Sequence, residues 1–237
     1  MKIIFPVTNR THIARQELLL KELRKFADLE IIECEPNKTK KYSQSADYLT
    51  YFGSRFGALK PDLVLIRGDR YEMLPITMAA VYQDIKVAHI EAGDLSGVID
   101  NKVRHAITKL ADYHFVTNKD AYSRVIQMGV NPDTVWNCGS LDVEFALKVK
   151  PKRLIKEPYF VVLFHPIPGE DGKMLNDLIV EGSKKIVITS NKDYGVKTEG
   201  EEYDSRGYIN LISHAEFLVG NSSSFLKESS MFGVPVI

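Results

Sequence analysis

Charge of one sign is missing from this sequence. Its 237 residues carry 31 Lys and Arg against 31 Asp and Glu, so the formal net charge is zero. A general nucleic-acid binder shows a basic surplus, and that partner class is not expected. Cysteine is scarce. Cys34 and Cys138 lie far apart and form no metal-ligand spacing. They are expected as two buried free thiols in a reducing cytoplasm. Long apolar runs are absent as well, so no membrane span is expected. The run Ile3-Ile4-Phe5-Pro6-Val7 is too short for a signal-peptide core, and no small-residue cleavage site follows it. There is no Walker A motif, no dinucleotide Gly-rich fingerprint, no G-x-S-x-G elbow and no paired His-x-x-x-His. These absences disfavour a P-loop ATPase, an NAD enzyme, a serine hydrolase and a zinc protease.

What is present is ordinary globular material, 44% hydrophobic and 26% charged. Strand-like runs alternate with helix-like segments. Strands are expected at 3–7, 29–34, 62–66, 86–90, 113–117 and 135–138. Helices are expected at 15–26, 46–59, 74–82, 101–111 and 121–128. Repeated βα units imply a parallel sheet covered by helices on both faces. The stretch Lys148-Val-Lys-Pro-Lys-Arg153 is basic and contains proline, as a surface linker does. The βα pattern then restarts, with strands at 159–164, 185–189, 217–219 and 234–237 and helices at 175–181, 209–214 and 223–231. The expected architecture is therefore two Rossmann-like α/β lobes, residues 1–147 and a shorter 148–237. In such lobes ligands bind at the carboxyl ends of the strands, in the cleft between them.

The polar residues worth reading follow strands. Asp69 comes after Asp62-Leu-Val-Leu-Ile-Arg-Gly68 and serves either as a cleft carboxylate or as a helix N-cap. His89, Glu91 and Asp94 cluster within six positions at the next strand end. In an extended segment His89 and Glu91 share one side, as an acid/base pair would. Asp100 can cap the following helix, and Arg104, four residues on, can pair with it across one turn. Asp69, Glu91 and Asp100 on successive strand ends would converge, as proton transfer to and from a carbon requires. In the second lobe His165 follows a strand. Gly220-Asn-Ser-Ser-Ser224 joins a strand to a helix and offers N–H groups and hydroxyls to a phosphate, or simply caps the helix. Glu228 lies one to two turns further on, either turned back toward the cleft or on a solvated face.

One block is highly specific. His89-Ile-Glu-Ala-Gly-Asp-Leu-Ser-Gly-Val-Ile-Asp-Asn-Lys-Val-Arg-His-Ala-Ile-Thr-Lys-Leu-Ala-Asp-Tyr-His114 resembles the signature of hydrolysing UDP-N-acetylglucosamine 2-epimerases of sialic acid pathways. Asn9-Arg10, Gly68-Asp-Arg-Tyr-Glu72, Phe164-His-Pro166 and Gly220-Asn-Ser-Ser-Ser224 match the other motifs of that family in order. The resemblance implies a fold like that of GT-B glycosyltransferases, with a second lobe left incomplete where family members continue past Gly233-Val-Pro-Val-Ile237. It implies C2 deprotonation of UDP-GlcNAc, or a close UDP-sugar, with anti elimination of UDP and hydration of the glycal to N-acetylmannosamine. It implies that Asp69, Glu91 and Asp100 are the acid/base carboxylates, supported by His89 and Arg104. By the same resemblance Arg10 takes the diphosphate or sugar, His165 and Asn221 to Ser224 (Asn221, Ser222, Ser223, Ser224) surround the diphosphate, and Glu228 takes the ribose. No metal or redox cofactor is required by this chemistry, and a homodimer is implied. Two other readings stay open: a sugar-nucleotide-binding protein without catalysis, and a GT-B-like glycosyltransferase.

Overall fold

The computed structural model describes residues 1–7, 10–34, 41–96, 100–165, 180–189 and 200–237, without the side chains of residues 10–12, 41–42 and 223. The helix expected at 175–181 begins outside the described residues. The chain divides into two compact units, Met1–Leu141 and Asp142–Ile237.

The first unit is built on a six-stranded parallel sheet in the order β2-β1-β3-β4-β5-β6. Its strands are β1 (Lys2–Val7), β2 (Asp28–Glu33), β3 (Leu63–Arg67), β4 (Lys86–Ile90), β5 (Tyr113–Val116) and β6 (Val135–Asn137). The helices between them are α1 (Arg10–Arg15), α2 (Glu17–Leu23), α3 (Lys41–Leu59), α4 (Met73–Val81), α5 (Asp100–Leu110) and α6 (Lys119–Gln127). One helix was expected over 15–26; two form, because Gln16 between them leaves helical backbone at φ −106°, ψ 6°. Alternation along β1 sorts its side chains to two faces. Ile4 joins Phe52, Phe56, Val64, Ile66, Ile76 and Ile107 in one core. Ile3, Phe5 and Val7 join Leu20, Leu65 and Ala88 in the other. A sheet buried on both faces explains the unbroken apolar runs that marked these strands. The order reverses between β1 and β3, which makes the carboxyl ends around that point the natural binding crevice.

The second unit has a parallel sheet in the order β8-β7-β9, from β7 (Tyr159–Leu163), β8 (Lys184–Val187) and β9 (Leu218–Gly220). Leu218 N–H donates to the Pro235 carbonyl at 2.8 Å and Ile237 N–H to the Leu218 carbonyl at 2.8 Å. The strand expected at 234–237 is therefore reduced to a parallel bridge at Val236 beside β9. Three helices complete the described part of the unit: α7 (Leu141–Val149), α8 (Ser205–Ile212) and α9 (Ser223–Ser229). The division falls after Leu141, ahead of the boundary expected at 147/148. The reason is α7, which occupies the stretch before the basic linker. It carries Asp142 and Glu144 in its first turn and Lys148 in its last, matching the helix dipole. Its Phe145 and Ala146 are buried among Tyr159, Val161, Ile209 and Leu218 of the second unit.

Candidate active site

In the first unit the polar cluster forms where β3 and β4 end. Asp69 leaves β3 two residues past Arg67, and Glu91 directly follows β4. Gly68 N–H donates to the Ile90 carbonyl at 3.0 Å, which ties the two strand ends together. Glu91 adopts φ +66°, a left-handed conformation that costs a non-glycine residue about 1–3 kcal/mol. Its N–H donates to the Phe115 carbonyl at 2.9 Å, so the neighbouring strand fixes the turn. Gly93, at φ +73°, completes it. A Cβ there would meet Val125 Cγ2 at 2.6 Å and the Ala121 carbonyl at 2.7 Å, so α6 packs against the turn only because residue 93 has no side chain.

Each carboxylate at these strand ends meets an arginine. Arg67 donates to Glu91 Oε1 twice, from Nε at 2.8 Å and from Nη2 at 2.6 Å. Arg104 Nη2 donates to Asp69 Oδ2. This corrects the expected pairing of Arg104 with Asp100 across one turn of α5. Arg104 is almost fully buried, and a buried guanidinium is stabilised most by a carboxylate that is also drawn out of water. Asp100, at the first position of α5, is more open and stays close enough to act on Asp69 through space. Burial pushes the Asp69 carboxyl above the ordinary carboxylate range. Arg104 opposes that rise, while the charges of Asp100 and Glu91 add to it. Glu91 and Asp100 thus both lie within electrostatic reach of Asp69.

His89 does not share an open face with Glu91. It is fully buried. Nε2 donates to the Gly68 carbonyl at 2.9 Å, and Nδ1 faces the Thr108 hydroxyl at 3.2 Å. Burial, above all, drives its pKa down to about 4, so the ring is neutral. It acts as a strut that joins the Gly68-Asp69 turn to α5. His114 extends the strut, with Nε2 2.9 Å from the Thr108 carbonyl. Asp94 is also buried and accepts from the Thr117 hydroxyl at 2.5 Å. Arg10 heads α1, but its side chain lies outside the described ones.

In the second unit a different construction follows β7 and β9. His165 N–H donates to Asn221 Oδ1 at 2.7 Å, and Asn221 Nδ2 donates back to the His165 carbonyl at 2.8 Å. This clasp uses both ends of the Asn221 amide. Before it, Gly220 at φ +147° lies against the Leu163 backbone where a Cβ would collide with the carbonyl, so no other residue fits. His165 Nε2 lies 3.3 Å from Ser222 Oγ, Ser222 Oγ 2.8 Å from Ser224 Oγ, and Ser224 Oγ 2.5 Å from the Tyr208 hydroxyl. A chain of hydrogen bonds therefore runs from an imidazole through two serines to a tyrosine. Phe225 is buried and stacks on Tyr208 with ring centroids 6.5 Å apart, so its bulk faces the core and away from the loop. Glu228, three residues on, is fully buried as well; it is not on a solvated helix face. Ser223 begins α9, and its side chain lies outside the described ones.

Arg67, Thr108, His114 and Tyr208 escaped the sequence reading. Only Arg67 carried a signal: a cation closing an otherwise apolar strand one residue before Gly-Asp. Among the described residues no group of three His, Cys, Asp or Glu is arranged around a common metal position, and no helix is long and apolar enough to cross a membrane. Cys34 is buried as expected, but Cys138 is exposed, because it follows the short edge strand β6.

Such an arrangement can support proton transfer beside the first unit's carboxylates and offers hydrogen-bond donors at the second unit's serine loop. A UDP-N-acetylglucosamine 2-epimerase from Neisseria meningitidis serogroup B is 32% identical over 219 residues, 80% of this chain and 58% of that protein. A UDP-N,N'-diacetylbacillosamine 2-epimerase (hydrolyzing) from Legionella pneumophila is 28% identical over 218 residues, 78% of this chain and 58% of that protein. The chain thus spans somewhat over half the length of these relatives. A Staphylococcus aureus MnaA–UDP co-structure superposes with a TM-score of 0.81 at 17% identity, over 100% of this chain and 78% of the other. That likeness concerns the fold, which is α/β and GT-B-like as expected. The protein-family model described as UDP-N-acetylglucosamine 2-epimerase matches residues 12–237, nearly the whole chain, and to that family the chain belongs.

Proposed function

We propose that the protein is a hydrolysing 2-epimerase acting on UDP-GlcNAc or a close UDP-sugar. The observation that carries this reading is that Glu91 and Asp100 both reach Asp69, with burial holding Asp69 ready to carry a proton. A sugar C2 proton is weakly acidic, so its removal needs a carboxylate held close and aimed. One carboxylate takes that proton, the C1–O bond to UDP breaks on the opposite face, and a 2-acetamidoglucal forms. Water then adds, with its hydroxyl to C1 and a proton from a carboxylate to C2 on the inverted side. The sum is UDP-GlcNAc plus water giving N-acetylmannosamine plus UDP. Arg104 orients Asp69, and His89 holds the turn that carries it.

The departing diphosphate is an anion, which N–H and hydroxyl donors stabilise. His165 and the Asn221-to-Ser224 loop supply those donors, Arg10 supplies charge, and Glu228 takes the ribose hydroxyls. The name of the Legionella relative supports the hydrolysing form of the reaction, and the Staphylococcus co-structure supports UDP as ligand. The same reading carries a cytoplasmic location and a homodimer.

Incubation with UDP-GlcNAc in D2O, followed by NMR, tests the proposal. The expected products are UDP and N-acetylmannosamine carrying one deuterium at C2. Folded protein that binds UDP by calorimetry without turnover overturns it in favour of a binding protein. Transfer of the sugar to an added acceptor overturns it in favour of a glycosyltransferase.

A further inference from the structure

The basic run that follows α7 has no part in the chemistry above. Residues 148–156 carry five cations, Lys148, Lys150, Lys152, Arg153 and Lys156, and no carboxylate. In a chain whose formal net charge is zero, that concentration is local. Lys148 is answered by Glu144, one turn back on α7 and 2.9 Å away. Among the described residues the other four meet no carboxylate within salt-bridge distance, and all four are exposed. The run is nevertheless held in place. Lys150 turns the chain out of α7 at φ +49°. Val149 and Ile155 pack against the core of the second unit. Lys152 N–H donates to Asn210 Oδ1 on α8 at 2.9 Å, and Arg153 Nε donates to the Ile155 carbonyl at 2.8 Å. Leu147, just before the run, and Leu154, within it, are 64% and 50% exposed. Single exposed leucines are ordinary; here two of them stand beside a cluster of unpaired cations.

We propose that residues 147–156 form a docking site for an anionic lipid surface. Lys150, Lys152, Arg153 and Lys156 lie at the headgroups, and Leu154 dips between them. Charge complementarity selects the partner. Long cationic side chains beside an exposed leucine suit a surface that is anionic outside and apolar beneath. A nucleic acid suits the run less, because residues 147–156 include no aromatic side chain on which a base could stack. Four charges and one leucine make a weak, reversible contact. The site requires nothing of the carboxylates in the first unit, so it stands apart from the epimerase reading.

Co-sedimentation of the full chain with lipid vesicles tests the proposal. Binding is expected to phosphatidylcholine vesicles containing about one third phosphatidylglycerol and not to phosphatidylcholine alone, with release as salt rises from about 50 to 300 mM. Lys152→Gln should weaken the partition about fivefold, and Lys150→Gln, Lys152→Gln, Arg153→Gln and Lys156→Gln together should abolish it. Leu154→Ser should weaken it about fivefold without changing the salt dependence. Lys21→Gln, Arg24→Gln, Lys60→Gln and Lys119→Gln together remove four exposed cations of the first unit, and that control should stay within about threefold of wild type. Circular dichroism checks that each variant is folded. Absence of wild-type binding to the anionic vesicles overturns the proposal, as does an equal loss in the control. Unchanged binding in Leu154→Ser overturns the part given to the leucine. A duplex oligonucleotide held more tightly than the vesicles, and released by the same four substitutions in residues 150–156, overturns the proposal in favour of a nucleic acid.

Discussion

The two units place polar groups at the ends of parallel strands by opposite means. In the first, charge is buried against charge: Arg67 on Glu91, Arg104 on Asp69, and a neutral imidazole bracing the turn between them. In the second, neutral groups are strung together: an amide clasp, two serine hydroxyls and a tyrosine. On the proposed reading the difference is one of purpose. A group that must gain and lose a proton needs its ionisation set by burial and by fixed charges. A group that only receives an anion needs donors already pointed, with no proton inventory to maintain. Variants of the first unit should therefore act on rate and on pH behaviour, and variants of the second on affinity.

The largest effect is expected where an ion pair is cut. Arg104→Met leaves Asp69 with its desolvation and with the charges of Asp100 and Glu91, and removes the larger of the two influences that lower its pKa, the other being a backbone hydrogen bond. The carboxyl is then protonated over a wider pH range and has lost its orientation. The expected fall in kcat is about 10²–10⁴-fold, with KM changed less than about threefold. Stability drops by about 2 kcal/mol in urea unfolding, less than for a sealed pair because Asp69 keeps some contact with solvent. Wild-type kcat in folded Arg104→Met would remove Asp69 and Arg104 from the chemistry.

Next in size is acid sensitivity confined to the first unit. The folded pKa of His89, about 4, lies below the ordinary value of 6.5. A group depressed in this way contributes stability that is complete above about pH 6.5 and is lost as pH falls toward about 4. Between pH 7.5 and 5 the wild type should lose about 2 kcal/mol through this residue. His89→Gln, already weakened at neutral pH, should lose correspondingly less over the same interval. Trp136, the only tryptophan, lies in β6 and reports on the first unit by fluorescence. Equal losses in both proteins would mean that His89 does not set the acid limit.

Much of this plan is legible in the residues, and what is not has a physical reason. Apolar runs mark the central strands β1, β3 and β4 of the first unit, because a sheet covered on both faces needs continuous apolar strands. Asp69, Glu91 and His165 stand out because they interrupt that pattern just past the strands, and Asp100 because it opens the next helix. Partner choice does not show. Arg104 lies four residues from Asp100 on one helix, and nothing local says that Asp69, on another element, binds it instead. Glu91's left-handed backbone is set by β5 and α6, so the alternation that places it beside His89 fails at that residue. The helix α7 is hidden because a basic, proline-containing run draws attention to its end, while Phe145 and Ala146 reveal their burial only once the second core exists.

The smallest effect sharpens the comparison from the second unit. Tyr208 joins the hydrogen-bonded chain at Ser224 and stacks on Phe225. Tyr208→Phe keeps the ring and its stacking and removes the hydroxyl. Ser224 retains its contact with Ser222, 2.8 Å away, so the loop loses one restraint and keeps its fold. One hydrogen bond contributes about 1 kcal/mol, so UDP affinity measured by calorimetry should weaken about fivefold. On the proposed division of labour, in which this chain only holds the loop, the pH dependence of kcat should match wild type within error. A pH profile displaced in Tyr208→Phe would contradict the division of labour between the units: the hydroxyls would then be moving protons, and the second unit would be sharing the acid/base work of the first.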